Sequence, residues 1–253
     1  MIGFHRWAAC FAAVALPALA GCSTTNPQSV AALHSIDRPS LKAAREALSQ
    51  GQAETALGIA RGVLSVEPRN VAALVSAGDA DIALGNRRTG ESEYRTALGY
   101  QPNYVPARLG MGKLKLRDNA QAAETQFRAI LASYPHDAAV LTDLGVSLDM
   151  QERHAEAQAE YTAAMAVNPE MTSTRVDMAL SLALSGNPLK AEEMLRDATD
   201  EGAVPAKVRA DYAVAQVLAG HSDEATQTLQ ADLTPDEAKA SVVGMEALLP
   251  PKK

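Results

Sequence analysis

The chain has little that chemistry could be built on. Its 253 residues hold two cysteines, five histidines and one tryptophan. None of the histidines forms HExxH or stands at metal-ligand spacing from another, so no zinc site is written in the sequence. There is no GxSxG elbow, no P-loop and no dinucleotide fingerprint. Basic charge is also short: 23 Lys plus Arg stand against 30 Asp plus Glu. An acidic chain is a poor partner for nucleic acid. The apolar run Trp7–Ala20 covers 14 residues, too few to cross a ~30 Å hydrocarbon layer at ~1.5 Å per residue. These absences exclude the common enzyme classes, leave no cofactor to expect, and point to a surface that binds protein.

What is present begins at the leader. MIGFHR carries one positive charge at Arg6, the apolar run follows, and Leu19-Ala20-Gly21-Cys22 closes it with small residues. That order is the pattern of a secretory signal peptide over residues 1–21. The close resembles the lipobox of bacterial lipoproteins. The resemblance implies cleavage before Cys22, lipidation of its thiol, and anchoring of the chain to a membrane, with each buried methylene of the acyl chains contributing ~0.8 kcal/mol. Ser23 behind the cysteine resembles outer-membrane cargo, so the expected location is the periplasmic face of the outer membrane of a Gram-negative bacterium. Cys10 would leave with the leader, so no disulfide is expected. The polar stretch Ser23–Ile36 reads as a tether; with Cys22 it makes a segment over 22–36.

From Asp37 the chain repeats. Prolines fall at Pro68, Pro102, Pro135 and Pro169, with spacings of 34, 33 and 34. Small residues keep step at Ala56, Gly90, Ala123, Ala157, Ala191 and Ala225. Four residues beyond most of them stand Tyr94, Phe127, Tyr161, Leu195 and Leu229, while the first unit has Ala60. Gly51, Gly85, Gly186 and Gly220 recur at one place and predict left-handed turns, with Asn119 as the substitute in the third unit. This period and its landmarks resemble the tetratricopeptide repeat, a helix–turn–helix unit. The resemblance implies an all-α tetratricopeptide-repeat superhelix. Six units are expected near 37–70, 71–104, 105–137, 138–171, 172–205 and 206–235. A capping helix and tail over 236–253 would close the array, with Thr234 and Glu237 at capping-box spacing.

Function is then expected on the concave side lined by the first helices. In tetratricopeptide proteins the sixth residue of each unit faces that groove, which corresponds to Asp143, Asp177 and Asp211 here. Asp79, Val146, Asp149, Val176, Leu180 and Val214 are predicted on the same face, with Met150 and Val217 beside them. Lys113 and Arg117 are its basic exceptions. Such a groove is acidic with apolar patches and suits an apolar, basic partner segment. It lacks the Lys/Asn pattern of the clamps that hold chaperone tails. His136 and His154 fall at inter-helix turns and read as solvated, and the carboxylates in AEAQAE and DEA read as the solvent faces of second helices.

Over residues 141–161 (LTDLGVSLDMQERHAEAQAEY), 175–188 (RVDMALSLALSGNP), 204–225 and the DLTPDEA at 232–238, the chain is similar to the TadD family. That family comprises the tetratricopeptide lipoproteins of tight-adherence (Flp) pilus assembly. The resemblance implies a non-enzymatic role in assembling or localising pilus secretion machinery, with a secretin or another assembly component as partner. The alternative is a generic periplasmic scaffold for cell-envelope or cell-wall enzymes.

Overall fold

The computed structural model describes residues 39–200 and 205–247. The leader, Cys22, the tether and the tail beyond 247 lie outside them. The chain divides after Pro169 into two compact bodies.

The first body is four helical hairpins. They are α1 (Pro39–Ser49) with α2 (Ala53–Val66), α3 (Val71–Ala83) with α4 (Arg87–Tyr100), α5 (Val105–Lys115) with α6 (Ala120–Leu131), and α7 (Ala138–Asp149) with α8 (His154–Val167). The second body is α9 (Thr172–Leu184) with α10 (Pro188–Asp200), α11 (Ala206–Ala219) with α12 (Ser222–Leu229), and a closing helix α13 (Pro235–Glu246). Within each body every helix packs on the next in chain order. Alternate first helices also touch, α1 on α3, α3 on α5, α9 on α11 and α11 on α13. In each body, first helices therefore form one layer and second helices the other. Among the described residues there is no strand.

Local chemistry sets the helix ends. Asn70, Asn119 and Asp137 each accept a backbone N–H three residues on, from Ala73, Ala122 and Val140, at 3.0 Å. Thr234 and Glu237 form the expected capping box at the start of α13. Pro68, Pro102, Pro135 and Pro169 lie in the segments that follow second helices, where no helical N–H is required.

Gly51, Gly85, Gly186 and Gly220 turn their hairpins with φ between +75° and +89°. Asn119 does not share that geometry. Its φ is −158°, and its side chain caps α6 instead. The third unit is one residue shorter than its neighbours, so its turn closes without a left-handed residue. In the fourth unit Glu152 occupies the glycine register at φ +60°, a conformation that costs an ordinary side chain ~1–2 kcal/mol.

Packing follows the small and large landmarks. Ala123, Ala157, Ala191 and Ala225 are fully buried, as are Phe127, Tyr161 and Leu195. A Cβ on Gly145 would stand 2.5 Å from Cε1 of Tyr161, and one on Gly112 would stand 2.6 Å from Cε1 of Phe127. The Tyr94 ring lies against both Gly78 of its own hairpin and Gly110 of the next, where an added Cβ would meet it at 2.7 and 2.6 Å. These glycines are backbone-deep seats for rings. Gly145→Ala is accordingly expected to destabilise. Overpacking costs ~1–3 kcal/mol, and the better helix propensity of alanine returns ~0.5–1 of it. The net loss of about 1–2 kcal/mol should appear as a lower urea midpoint, whereas Gly62→Ala, where an added Cβ meets nothing within 4 Å, should not lower it.

Candidate functional site

The first-helix face is less open than its sequence implies, because most of its carboxylates are engaged within the fold. A buried phenol needs an acceptor. Tyr94 Oη donates to Asp79 Oδ1 at 2.5 Å, and Tyr161 Oη donates to Asp149 Oδ2 at 2.9 Å. Burial, then the charge of Asp79, pushes the Tyr94 phenol far up, so it stays a donor. Asp149 Oδ1 also meets His154 Nδ1 at 2.8 Å. His154 is therefore a packed partner of α7, not a solvated turn residue, while His136 is exposed. Asp211 is paired with Lys207, one turn earlier on α11, at 2.8 Å.

Asp143 is the exception. It is half-buried on α7, and its Oδ2 has no hydrogen-bond donor. The nearest cation, Lys113 Nζ of α5, stands at 3.6 Å, beyond good hydrogen-bond length. Burial pushes the Asp143 carboxyl up, and Lys113 only partly opposes it. Val146 lies half-buried one turn on, Met150 is 47 % exposed, and Lys113 and Arg117 are exposed. The structure thus brings together Lys113, Asp143, Val146 and Met150 on adjacent first helices.

In the second body Asp177, Leu180 and Val214 are half-buried. Val176 is a correction. It is 3 % exposed and belongs to a core with Leu182, Leu195, Val208 and Tyr212, so its side chain joins hairpins and lines no groove. Val217 is buried in the same way, against Ala225 and Val242. Both stand where the inner face of a first helix turns into its packing face, a boundary that register alone places only to within one side chain.

A second set of acids escaped the sequence reading. Glu91, Glu124 and Glu192 follow the small landmark of their units, and each is bonded to an arginine four residues on: Arg95, Arg128 or Arg196. Each also reaches the next hairpin. Glu91 meets Lys115 at 2.8 Å, and Glu192 meets His221 at 2.7 Å. Glu124 accepts from Arg153 at 2.7 Å and Gln151 at 3.0 Å. These are clasps between neighbouring units, not solvent faces. Burial pushes the Glu124 carboxyl up, but the bonds from Arg128, Gln151 and Arg153 together outweigh it and leave it lowered. The recurring small-Glu-x-x-x-Arg spacing was the signal that could have revealed them.

Among the described residues no three His, Cys, Asp or Glu side chains are grouped to hold a metal ion. No described helix is long and apolar enough to cross a membrane.

A tetratricopeptide-repeat family model matches residues 108–170. No curated protein sequence matches the chain. Solved structures do. The fold is similar to that of PilW, a widely conserved type IV pilus biogenesis factor, at 17 % identity over 83 % of this chain and 98 % of that one, with TM-score 0.73. It is similar to pilF of Pseudomonas aeruginosa at 15 % identity over 81 % and 95 % of the two chains, TM-score 0.67. A tetratricopeptide repeat protein of Parabacteroides merdae ATCC 43184 matches at 16 % identity over 83 % and 82 %, TM-score 0.65. At such identities the likeness concerns the fold. The chain has the all-helical tetratricopeptide-repeat fold, a scaffold for protein–protein interaction.

Proposed function

We propose that this chain is a non-enzymatic, lipid-anchored protein of the outer membrane's periplasmic face that holds segments of partner proteins on its first helices. Its partners, in this reading, are components of the Flp/Tad pilus secretion machinery, and capture of a secretin subunit is the pilotin-like case. The Leu-Ala-Gly-Cys sequence before Ser23 supports the anchor, and the TadD-like stretches support the pilus context. Likeness to PilW, a type IV pilus biogenesis factor of the same fold, adds to that context.

The single observation that carries the binding face is the pair Lys113–Asp143. Its geometry leaves Asp143 Oδ2 unmet and Lys113 half in water, beside the exposed Met150. A buried acceptor without a donor is costly, and Lys113, 3.6 Å from it with its side chain exposed, is the member of the pair a partner can reach. Lys113 and Arg117 can in turn take a carbonyl or carboxylate. Anchoring would raise the partner's local concentration at the membrane.

The test is in-cell crosslinking from positions 146, 150 and 214, followed by identification of what is captured. The expected catch from at least one face is a secretin or another pilus assembly protein. Lys113→Glu should weaken capture at 146 and 150 about tenfold, the effect of losing one well-placed interface contact. Capture unchanged by that substitution would remove this face from the binding site. Recovery of cell-wall enzymes instead would support the generic scaffold.

A further inference from the structure

A carboxyl pair at the junction of the first two hairpins has no place in the binding reading. Asp81 of α3 is 1 % exposed. Its Oδ1 accepts from Asn86 Nδ2 at 2.9 Å, and its Oδ2 faces Arg61 Nη2 of α2 at 3.3 Å. Glu93 of α4 interacts with the same Asp81 carboxylate and with Arg61, and its Oε2 is buried with no hydrogen-bond partner. A carboxylate can only accept, so two of them facing each other in a buried site leave an oxygen unmet. One proton removes the conflict, because a protonated Glu93 donates to Asp81.

We propose that Asp81 and Glu93 share one proton, and that losing it loosens the seat of the first hairpin on the second.

The surroundings agree. Burial first, and then the charge of Asp81, pushes Glu93 up to about 7, while Arg61 opposes them. The Arg61 side chain is 58 % exposed and is screened by water, so it cannot balance two buried negative charges. The other charged groups nearby are engaged or peripheral. Asp79 of α3 accepts the Tyr94 phenol, and Lys115 of α5 is held by Glu91. From α1, which packs on α3, the half-buried charged residue is Arg45.

The junction is also weak in apolar terms. The buried cluster that joins α1 and α2 to α3 is Ala44, Ala47, Ala56 and Ala80, flanked by Leu48, Leu57 and Ile59, and Leu64 of α2 adds one larger side chain against the core of the second hairpin. Alanine buries little surface. Opening this seat exposes the pair and returns Glu93 to the ordinary carboxylate range, so the open form binds fewer protons. Raising the pH through 7 therefore favours opening, and each unit of difference is a factor of ten in the opening equilibrium.

Hydrogen exchange on the purified protein at pH 5.5 and 8.5 tests this, with protection corrected for intrinsic rates and α7–α8 amides as internal reference. Protection of α1–α2 amides should fall at least about tenfold at pH 8.5 relative to the reference. In Glu93→Gln it should stay high at both values. An equal pH response in wild type and Glu93→Gln, or none in wild type, would overturn the proposal. A carbon-13 NMR titration of the wild-type carboxyls decides independently of any variant. A Glu93 midpoint near neutral supports the shared proton, and a midpoint in the ordinary carboxylate range refutes it.

Discussion

Tyr161→Ala is expected to cost ~3–5 kcal/mol of folding stability, the range for emptying a buried aromatic site. The ring is 1 % exposed and rests on Gly145, whose missing side chain leaves no neighbour able to collapse into the gap. The loss also takes away the phenol that donates to Asp149 Oδ2 at 2.9 Å. Tyr161→Phe separates the two contributions: it keeps the ring and should cost ~0.5–1.5 kcal/mol for the hydrogen bond alone. Phe127→Ala should match Tyr161→Ala without that component, because its ring sits on Gly112 and has no hydroxyl. Repeat arrays unfold by neighbouring units, so exchange protection of α7 and α8 should fall further than that of α3 and α4. Equal urea midpoints for wild type and Tyr161→Ala would contradict the packing described.

Glu124→Ala is expected to lose ~2–3 kcal/mol at pH 7, the range for charge-assisted hydrogen bonds. The carboxylate is 5 % exposed and gathers Arg128, Gln151 and Arg153. The loss is kept moderate because both guanidinium groups reach water when released. Its pH dependence is the sharper signature. Glu124 is lowered from its ordinary 4.5. Its contribution is therefore fully present above that value and disappears as pH falls through the lower folded one. Wild type and Glu124→Ala should differ most at neutral pH and converge in acid. A constant difference from pH 7 to pH 3, followed by urea denaturation, would show that the side chain acts by packing alone.

The period was legible because hairpin repeats reuse one solution to one packing problem. Alanine or glycine lies where helices cross, a large side chain stands four residues on, and proline follows the second helix. The same logic placed the turn glycines and the capping box of α13, all local features set by a few adjacent residues. What could not be read was the fate of side chains whose partners lie a hairpin away. Asp79 and Asp149 look like groove acids until Tyr94 and Tyr161 arrive from the second helices to claim them. Glu124 looks like solvent surface until Arg153, 29 residues on, covers it. Asn119 departs for a different reason: deleting one residue from a turn changes which backbone geometry closes it. Val176 shows the limit of angular register, since a side chain at the edge of a face can point to either side.

The clasps of Glu91 and Glu124 bear on how the first body behaves under tension. They bolt the second hairpin to the third and the third to the fourth, whereas the first hairpin is held to the second by a mainly alanine core and a single exposed arginine, Arg61. A pull on the leading end would strip that first hairpin while the other three held as one stiff spring. Acid weakens the bolts, so the spring should yield at lower force as the carboxylates take up protons.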